Sequence, residues 1–237
     1  MATIRDIDKL RQLRRSKIPS SRQIVEETLN RLNYNLEDPR FVRKHFNKLL
    51  REVFQRTLHV LEEYEEEVDR EVLKRAGFQI NSQQYKLLRE YFLSVSQSRK
   101  QRGGKDFELQ FQTLLERAAI PFEAQPRKER VDLILPNHTL WGRDRARAVL
   151  LSLKRTLRER WRQVADELQT LRCPNTYLVT AEESLSENVV REIFQRNIYL
   201  VVWDKVKEDY GNHRVFGFSE LMKRLSQIHL PQWGQAS

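Results

Sequence analysis

Short apolar runs alternate with longer amphipathic stretches through the second half of the chain, and this alternation strongly restricts the fold. The apolar runs lie at residues 131–135, 146–153, 176–180 and 198–203. Helical periodicity follows the last three runs, at residues 158–171, 184–195 and 218–228. Runs this short and apolar are typical of strands that are buried on both faces. The alternation therefore predicts an α/β domain with a mostly buried central sheet.

The first part of the chain is basic and has a helical pattern. Ser20-Ser21 can cap a helix over residues 22–32, and Asp38-Pro39 can start a long second helix. These start signals predict that a helical region precedes the apolar runs.

A polar segment separates this helical pattern from the apolar runs. Residues 82–93 predict a short helix, residues 94–105 a basic loop with two glycines, and a further amphipathic helix follows. We therefore divide the chain into a helical region, residues 1–93, and an α/β domain, residues 94–237. The last residues, 231–237, have the composition of a frayed tail.

The net charge limits the class of partner. Lys and Arg number 43 against 33 Asp and Glu, which leaves a net charge of +10. Such a charge suits a polyanion, with nucleic acid as the first expectation and an anionic membrane surface as the rival. No apolar run reaches the ~18 residues of a spanning helix, and no signal-peptide pattern opens the chain. We therefore expect a cytoplasmic protein. Binding to a membrane surface is not expected, because the sequence lacks an amphipathic helix with clustered aromatic residues.

Cysteine and histidine usage argues against two kinds of site. Cys173 is the only cysteine, so the chain cannot form an internal disulfide and is a poor candidate for a zinc cluster. The five histidines lack the close spacing that a His-based metal site requires.

Three ionisable residues stand out in the α/β half. Asp132 lies inside an apolar run, Lys154 ends the next run, and Glu167 follows the lysine by 13 residues on a predicted helix. Carboxylates supply the oxygen ligands that Mg²⁺ prefers, and a lysine beside the metal can orient water and stabilise negative charge. Taken one at a time, each residue also fits an exposed position at a strand edge, a strand end or a helix surface.

Together, Asp132, the Ser152-Leu153-Lys154 segment and Glu167 resemble the PD-(D/E)XK nuclease superfamily in its less common form. In the usual form an acid stands where this chain has Ser152. In the variant group that acid lies on the following helix. The group comprises type II restriction endonucleases that cut CCGG-like sites, including the EcoRII, SsoII and PspGI enzymes. The resemblance implies a central mixed sheet flanked by helices, catalysis by Asp132, Lys154 and Glu167, and Mg²⁺ bound by the two acids.

A compact basic-acidic-basic triplet carries the same resemblance. Arg158, Glu159 and Arg160 look like the recognition triplet of the group. Arginine donates two hydrogen bonds to guanine and glutamate accepts one from cytosine, so the triplet suits adjacent G:C pairs. The alternative is a solvated helix start, which the helix dipole disfavours for two arginines.

An upstream segment adds two expected site residues. Residues 98–108 resemble the SRxxRAGxxxE segment of the group, with Gly103 where alanine is usual. The match implies that Glu108 is an accessory acid of the catalytic site. It also implies that Gln97 contacts base pairs from the minor-groove side.

Basic residues surround these positions and predict contacts with DNA phosphates. Residues 143–162 hold eight cations against two acids, and a second cluster lies near residue 100. Such contacts make binding dependent on salt. The expected DNA-binding residues beyond the triplet and Gln97 are Arg99, Arg102, Arg155 and Arg162.

One triplet reads only half of a restriction site, so a two-fold dimer on an inverted repeat is expected. The resemblance implies a homodimer, a CCNGG or CCWGG site and a cognate DNA methyltransferase acting on the same site. It also implies flipping of the central bases, for which Tyr34, Phe41 and Phe46 are candidate stacking partners. Each of these aromatics equally fits a core position.

Two other classes of protein share part of this pattern. One is a repair or junction-resolving nuclease of the same superfamily, which would prefer branched DNA. The other is a non-catalytic basic DNA-binding module, in which the acids are structural and binding does not depend on a metal.

Overall fold

The computed structural model describes residues 7–76, 82–124, 131–157, 161–211 and 214–234. The chain forms two compact units. The helical unit comprises Met1–Asn33 and Glu52–Leu109, and the sheet unit comprises Tyr34–Arg51 and Gln110–Ser237.

Helices occupy the first half of the chain and alternate with strands in the second. The described helices are α1 (Ile7–Lys17), α2 (Ser21–Asn30), α3 (Pro39–Lys44), α4 (Phe46–Ala76), α5 (Ser82–Arg117), α6 (His138–Arg143), α7 (Trp161–Thr170), α8 (Glu187–Gln195), α9 (Asp204–Lys207), α10 (Phe218–Arg224), a π-helical turn (Leu225–His229) and α11 (Leu230–Gly234). The described strands are β1 (Glu123–Ala124), β2 (Leu133–Leu135), β3 (Val149–Lys154), β4 (Thr176–Thr180), β5 (Tyr199–Val202) and β6 (Val215–Gly217).

Two predicted helix starts are confirmed. The Ser20 hydroxyl accepts a hydrogen bond from the Gln23 backbone N–H, and the Ser20 backbone N–H donates to the Gln23 side-chain oxygen at 2.8 Å, which completes a capping box. Asp38 caps α3, and its carboxylate accepts from the Arg40 backbone at 2.9 Å. The long helix predicted from this point is two helices instead, because His45 leaves the helical conformation between α3 and α4.

Helix α5 corrects the loop predicted over residues 94–105. The helix runs without a break from Ser82 to Arg117. Along it, Tyr91, Val95, Gly103 and Phe107 form a buried stripe spaced at multiples of four residues. Glycine costs roughly 1 kcal/mol in a helix interior. The prediction was wrong because burial of this stripe outweighs the local preference of two glycines.

The sheet unit contains a six-stranded sheet in the order β1-β2-β3-β4-β5-β6. β1 pairs with β2 and β2 with β3 in antiparallel fashion, whereas β3, β4, β5 and β6 run parallel to one another. The sheet is therefore mixed and flanked by helices, as expected. Strands β1 and β6 were not predicted, because two or three residues are too few to show an alternating pattern.

The core of the sheet unit joins helix ends to the sheet through aromatic side chains. The ring of Phe111 lies 5.3 Å from that of Phe46 and 6.1 Å from that of Phe218, between centroids. Phe218 in turn lies 4.9 Å from Trp203, which follows β5 and is fully buried. These contacts hold helices α4, α5 and α10 to the end of β5.

The C-terminal segment corrects the predicted frayed tail. Helix α11 covers Leu230–Gly234, and within it Trp233 is only 6% exposed. The Trp233 indole donates a hydrogen bond to the Arg147 carbonyl at 2.9 Å. Burial of one large aromatic side chain therefore orders a segment whose composition looks disordered.

In the helical unit, apolar side chains and a buried ion network share the interior. Leu10, Val72 and Tyr91 belong to one apolar cluster. Beside them, Arg14 donates hydrogen bonds to Glu65 at 2.5 Å and to Asp69 at 2.7 Å. None of the described helices combines the length and apolar character needed to cross a membrane.

Candidate active site

Asp132 lies at the entrance of β2, next to the longest run of buried strand. Its backbone N–H donates to the Leu151 carbonyl at 3.1 Å, and β2 pairs with β3 from Leu133 onward. This backbone bond holds Asp132 beside the second half of β3, which ends at Lys154. The register of two strands therefore brings together residues that are 22 positions apart in the chain.

The Asp132 carboxylate is surrounded by donors from β3. Its Oδ2 atom accepts from the Lys154 Nζ at 2.9 Å, the Leu153 backbone N–H at 2.6 Å and the Ser152 hydroxyl at 3.2 Å. The side chains of Asp132 and Lys154 are 17% and 32% exposed. Because the pair is shielded but still open to solvent, it can meet a substrate without a large rearrangement.

Ser152 has a function that the sequence pattern did not reveal. It occupies the position where the more common form of the superfamily has its second acid, and it is 1% exposed. Its hydroxyl donates to Asp132 at 3.2 Å, so it helps to orient that carboxylate. A serine inside a buried strand was the available signal, since buried hydroxyls need a partner.

Glu167 lies on α7, whose buried face consists of Trp161, Ala165 and Leu168. Its side chain is half-buried at the border of that face, as the helical spacing predicted. The carboxylate accepts from the Gln163 side-chain amide at 3.1 Å. Glu167 therefore has a defined orientation on a helix that follows β3.

The acids of this region offer oxygen ligands of the type that Mg²⁺ prefers. The three donors to Asp132 all bind Oδ2, which leaves Oδ1 as the oxygen for a cation within the described part of the chain. Across those same residues, no group of three or more His, Cys, Asp or Glu side chains is arranged around one point. Asp132 therefore offers one carboxylate oxygen as a ligand, and Mg²⁺ that is bound by few protein ligands keeps several waters.

The carboxyl ends of β3 and β4 border an open cavity. Lys154 lies opposite Thr180 in the parallel ladder, and Glu182 follows two residues later. The cavity has a volume of about 1060 Å³, and its lining includes Lys154, Glu182 and Trp161. Ligands of open α/β sheets bind beyond the carboxyl ends of the strands, so this is the expected edge for a substrate.

A second cavity, of about 740 Å³, lies at the opposite end of the parallel strands. Its lining includes Thr176, which begins β4, and Tyr199, which begins β5. It is therefore remote from Asp132 and Lys154, and we do not assign the chemistry to it.

The predicted base-reading triplet, Arg158, Glu159 and Arg160, lies outside the described residues. The residues on either side of it are both buried. Leu157 is 4% exposed and Trp161 is 8% exposed. The chain is therefore anchored immediately before and immediately after the triplet.

Two of the predicted phosphate contacts are close to the triplet. Arg155 is exposed. Arg162 is exposed as well, and its guanidinium donates to both oxygens of Glu192 at 3.1 and 3.2 Å. The hydrogen bond from Arg162 lowers the pKa of Glu192, so the acid is ionised and the pair is maintained. To contact a DNA phosphate, Arg162 would have to divide its guanidinium donors between Glu192 and the phosphate.

The other predicted contacts belong to α5 of the helical unit. Arg99 donates to Glu65 at 2.6 Å, and Arg102 donates to the Pro19 carbonyl at 2.6 Å. Gln97 is exposed, at the rim of a cavity of about 180 Å³ that is also lined by Arg11. Arg99 and Arg102 therefore already have partners within the helical unit.

Glu108 and the candidate stacking aromatics have different environments. Glu108 is half-buried on the part of α5 that belongs to the helical unit, whereas Asp132 belongs to the sheet unit. Phe46 is fully buried in the core, while Tyr34 and Phe41 are half-buried with their centroids 6.0 Å apart. The Tyr34 ring also contacts Lys48, and the Phe41 ring contacts His45, so both rings are partly exposed but already have neighbours.

The mixed sheet with its flanking helices is a fold that solved restriction endonucleases share. Metal-depleted Ecl18kI in complex with uncleaved, modified DNA matches with a TM-score of 0.82 and 22% identity, over 95% of this chain and 84% of that one. The complex of restriction endonuclease PspGI with substrate DNA matches with a TM-score of 0.73 and 22% identity, over 98% and 100% of the two chains.

The particular family follows from the sequence comparison. Residues 61–221 match the family described as EcoRII C terminal, and the chain belongs to this family. The type II restriction enzyme SsoII of Shigella sonnei is 29% identical over 158 residues. That match covers 61% of this chain and 52% of SsoII, so the chain spans about half the length of this relative.

Proposed function

We propose that this protein is a type II restriction endonuclease that hydrolyses double-stranded DNA at a CCNGG or CCWGG site. The main support is the contact between Asp132 and Lys154, which joins an acid and a base from adjacent strands at 2.9 Å. The pair lies beside an open cavity at the carboxyl ends of the parallel strands. Relatives in the same family include a type II restriction enzyme.

In this proposal Asp132 and Glu167 hold Mg²⁺, with Glu108 as an accessory acid. A bound Mg²⁺ supplies Lewis-acid activation of the phosphate and of a water molecule. The donors from Ser152 and Leu153 keep the Asp132 carboxylate in one orientation, so that no reorganisation is needed when the substrate arrives. Lys154 places a positive charge next to the phosphate and stabilises the negative charge that develops there.

Base reading is assigned to Arg158, Glu159 and Arg160 from the major groove and to Gln97 from the minor-groove side. Each bidentate contact between a side chain and a base pair is worth roughly 1–3 kcal/mol of discrimination. The Ecl18kI and PspGI structures are complexes with DNA, which supports double-stranded DNA as the partner of this protein. Phosphate contacts are assigned to four arginines, Arg99, Arg102, Arg155 and Arg162.

A homodimer is proposed because one triplet reads only half of an inverted repeat. The helical region, residues 1–93, would supply the dimer contacts, and residues 94–237 would form the nuclease core. If the central bases are flipped, Tyr34 and Phe41 are the better candidates to stack on them, because Phe46 is fully buried. A cognate methyltransferase would protect the same site in the host.

The test is digestion of a sequenced plasmid with and without Mg²⁺, followed by run-off sequencing of the ends. We expect cuts at one class of CCNGG site, only with the metal, and protection by prior methylation of that site. Random ends, or a preference for a four-way junction over linear duplex, would instead indicate another nuclease of the superfamily. Binding without any metal-dependent cleavage would indicate a DNA-binding module.

A further inference from the structure

The segment that follows β4 is held from two sides of the sheet unit. The Trp203 indole donates to the Ala181 carbonyl at 3.0 Å, and this bond is buried. The Arg51 guanidinium lies 5.3 Å from the centre of the Trp203 ring and donates to both carboxylate oxygens of Glu183 at 3.1 Å. Ala181 is therefore held by a buried bond and Glu183 by an exposed ion pair, with Glu182 between them.

Glu182 uses this fixed position to contact the loop that leaves β3. Its own N–H donates to the Thr180 hydroxyl at 3.3 Å, which turns the residue back toward the strand ends. Its Oε1 atom accepts from the Leu157 backbone N–H at 3.0 Å. Leu157 is buried and Glu182 is half-buried, so this charge-assisted bond is partly shielded from competing water.

Leu157 lies between Lys154 and the proposed base-reading triplet in the sequence. Three residues before it stands Lys154, and the proposed base-reading triplet begins at the next position. On the far side of the triplet, Trp161 is buried, with the guanidinium groups of Arg162 and Arg196 at 5.2 and 5.8 Å from its ring. The hydrogen bond from the Leu157 N–H to Glu182 thus helps to hold the chain between the proposed catalytic lysine and the triplet.

We infer that Glu182 is a positioning residue for sequence reading, which acts through the Leu157 backbone on the segment between Lys154 and the triplet. The inference rests on the proposed function. Bidentate contacts with bases require correct placement to a fraction of an ångström, so a segment with one anchor fewer reads its site less strictly. Loss of a hydrogen bond to a charged group changes an equilibrium constant about tenfold, and we expect a change of that size in the discrimination between two sites.

The experiment measures cleavage of two duplexes, one with a CCNGG site and one in which an outer G:C pair is A:T. The ratio of kcat/KM for the two duplexes is compared between wild type, Glu182→Ala and Glu182→Gln. We expect Glu182→Ala to lower this ratio about tenfold. Glu182→Gln should restore it, because the amide oxygen still accepts from Leu157. The control is Glu187→Ala, which removes an exposed acid from α8 and should leave the ratio unchanged.

The thermal unfolding midpoint, measured for each variant, separates positioning from stability. If Glu182→Ala does not fold, Glu182→Asp replaces it, since the shorter acid keeps the charge but cannot span the distance to Leu157. An unchanged ratio in the folded Ala or Asp variant would overturn the inference. So would an equal loss in Glu182→Gln, because the carboxylate charge would then be the required feature. If the wild-type protein cleaves both duplexes equally well, the result contradicts the proposed function itself, and with it the inference that rests on that function.

Discussion

The two units each contain an acid–cation centre, and the centres differ in burial and in the number of their partners. In the helical unit, the side chains of Arg14, Glu65 and Asp69 are 8%, 3% and 17% exposed. In the sheet unit, Asp132 and Lys154 are 17% and 32% exposed and lie beside an open cavity. The first centre, called the closed centre below, is the more buried of the two, although Arg14 lines a cavity of about 180 Å³. The second, the open centre, lies beside the larger cavity.

The partners of each centre explain the difference in role. Burial by itself lowers the pKa of Arg14, but hydrogen bonds to Asp69 and Glu65 outweigh burial and raise it. The Tyr91 hydroxyl also donates to Asp69, and Arg99 donates to Glu65. Such a network, with every charge paired, fixes how helices pack. An acid with one oxygen left for a cation is suited to chemistry instead.

The largest expected effect concerns the open centre. Lys154→Ala should lower the cleavage rate by a factor of about 10³, because it removes the charge that stabilises the reacting phosphate. Asp132→Ala should have an effect of the same size, while both variants retain specific binding. Rates come from single-turnover cleavage of the mapped site and affinities from titration with labelled duplex.

The matched control for this prediction is Lys207→Ala. Lys207 pairs with Glu220 at 2.8 Å, and the two side chains are 35% and 45% exposed. Its removal should leave cleavage unaltered. Wild-type rates in Lys154→Ala would contradict the catalytic assignment of the open centre.

The next largest effect concerns the closed centre. Arg14→Ala should lower the free energy of unfolding by roughly 3–5 kcal/mol, because it removes the cation that Glu65 and Asp69 share and leaves Glu65 paired with the more exposed Arg99. Arg70→Ala, which breaks a pair on the same unit whose side chains are 74% and 73% exposed, should cost less than about 1 kcal/mol. Urea denaturation measures both. Equal losses in the two variants would show that burial does not distinguish these pairs.

His229 extends the comparison to a buried group that lacks an ion partner. It is 4% exposed, and neither ring nitrogen has a hydrogen-bond partner within the described residues. Burial, and then the nearby charge of Arg224, lower its pKa to about 4. Above pH 6.5 the ring is neutral in the folded and in the unfolded chain. Below pH 6.5 the unfolded chain binds a proton before the folded chain does, so the free energy of unfolding falls between about pH 6.5 and 4.

His229→Phe should flatten this part of the stability curve, which otherwise has a slope of up to ~1.4 kcal/mol per pH unit. Phenylalanine keeps a ring that can stack on Trp233, 5.8 Å away between centroids. His59→Phe is the control, since that histidine is 76% exposed. Denaturation at pH 4.5, 5.5 and 7.5 gives the slopes, and an unchanged slope in His229→Phe would reject the assignment.

The smallest expected effect tests Arg99, which is 44% exposed and pairs with the buried Glu65. If Arg99 also contacts a phosphate, Arg99→Ala should weaken DNA binding and reduce its dependence on salt by about one unit of slope. Its effect on the free energy of unfolding should stay near 1 kcal/mol, because Arg14 still pairs with Glu65. Unchanged affinity and salt dependence would assign Arg99 to the closed centre alone.

Local sequence patterns succeeded where the physical cause is itself local. The caps at Ser20 and Asp38 require only a side chain and the next turn of backbone. Strand β4 was predicted at its observed bounds, Thr176–Thr180, since strands buried on both faces need continuous apolar residues. The spacing of Asp132, Lys154 and Glu167 predicted the acid–lysine pair through a family resemblance.

The same patterns failed where distant packing outweighs local preference. The glycines at 103 and 104 suggest a loop, yet α5 continues through them because one face of the helix is buried. The last residues suggest a tail, yet Trp233 is buried and bonded to Arg147, 86 positions earlier. No window of sequence contains both members of such a contact.

By itself, the order of residues determined the class of secondary structure, the helix starts and the set of chemical groups available for catalysis. Only the tertiary structure decided that Ser152 orients Asp132 and that Glu182 holds Leu157. It also decided that Arg99 pairs with the buried Glu65. These outcomes depend on which strands and helices become neighbours, and that choice is made by burial summed over a whole unit.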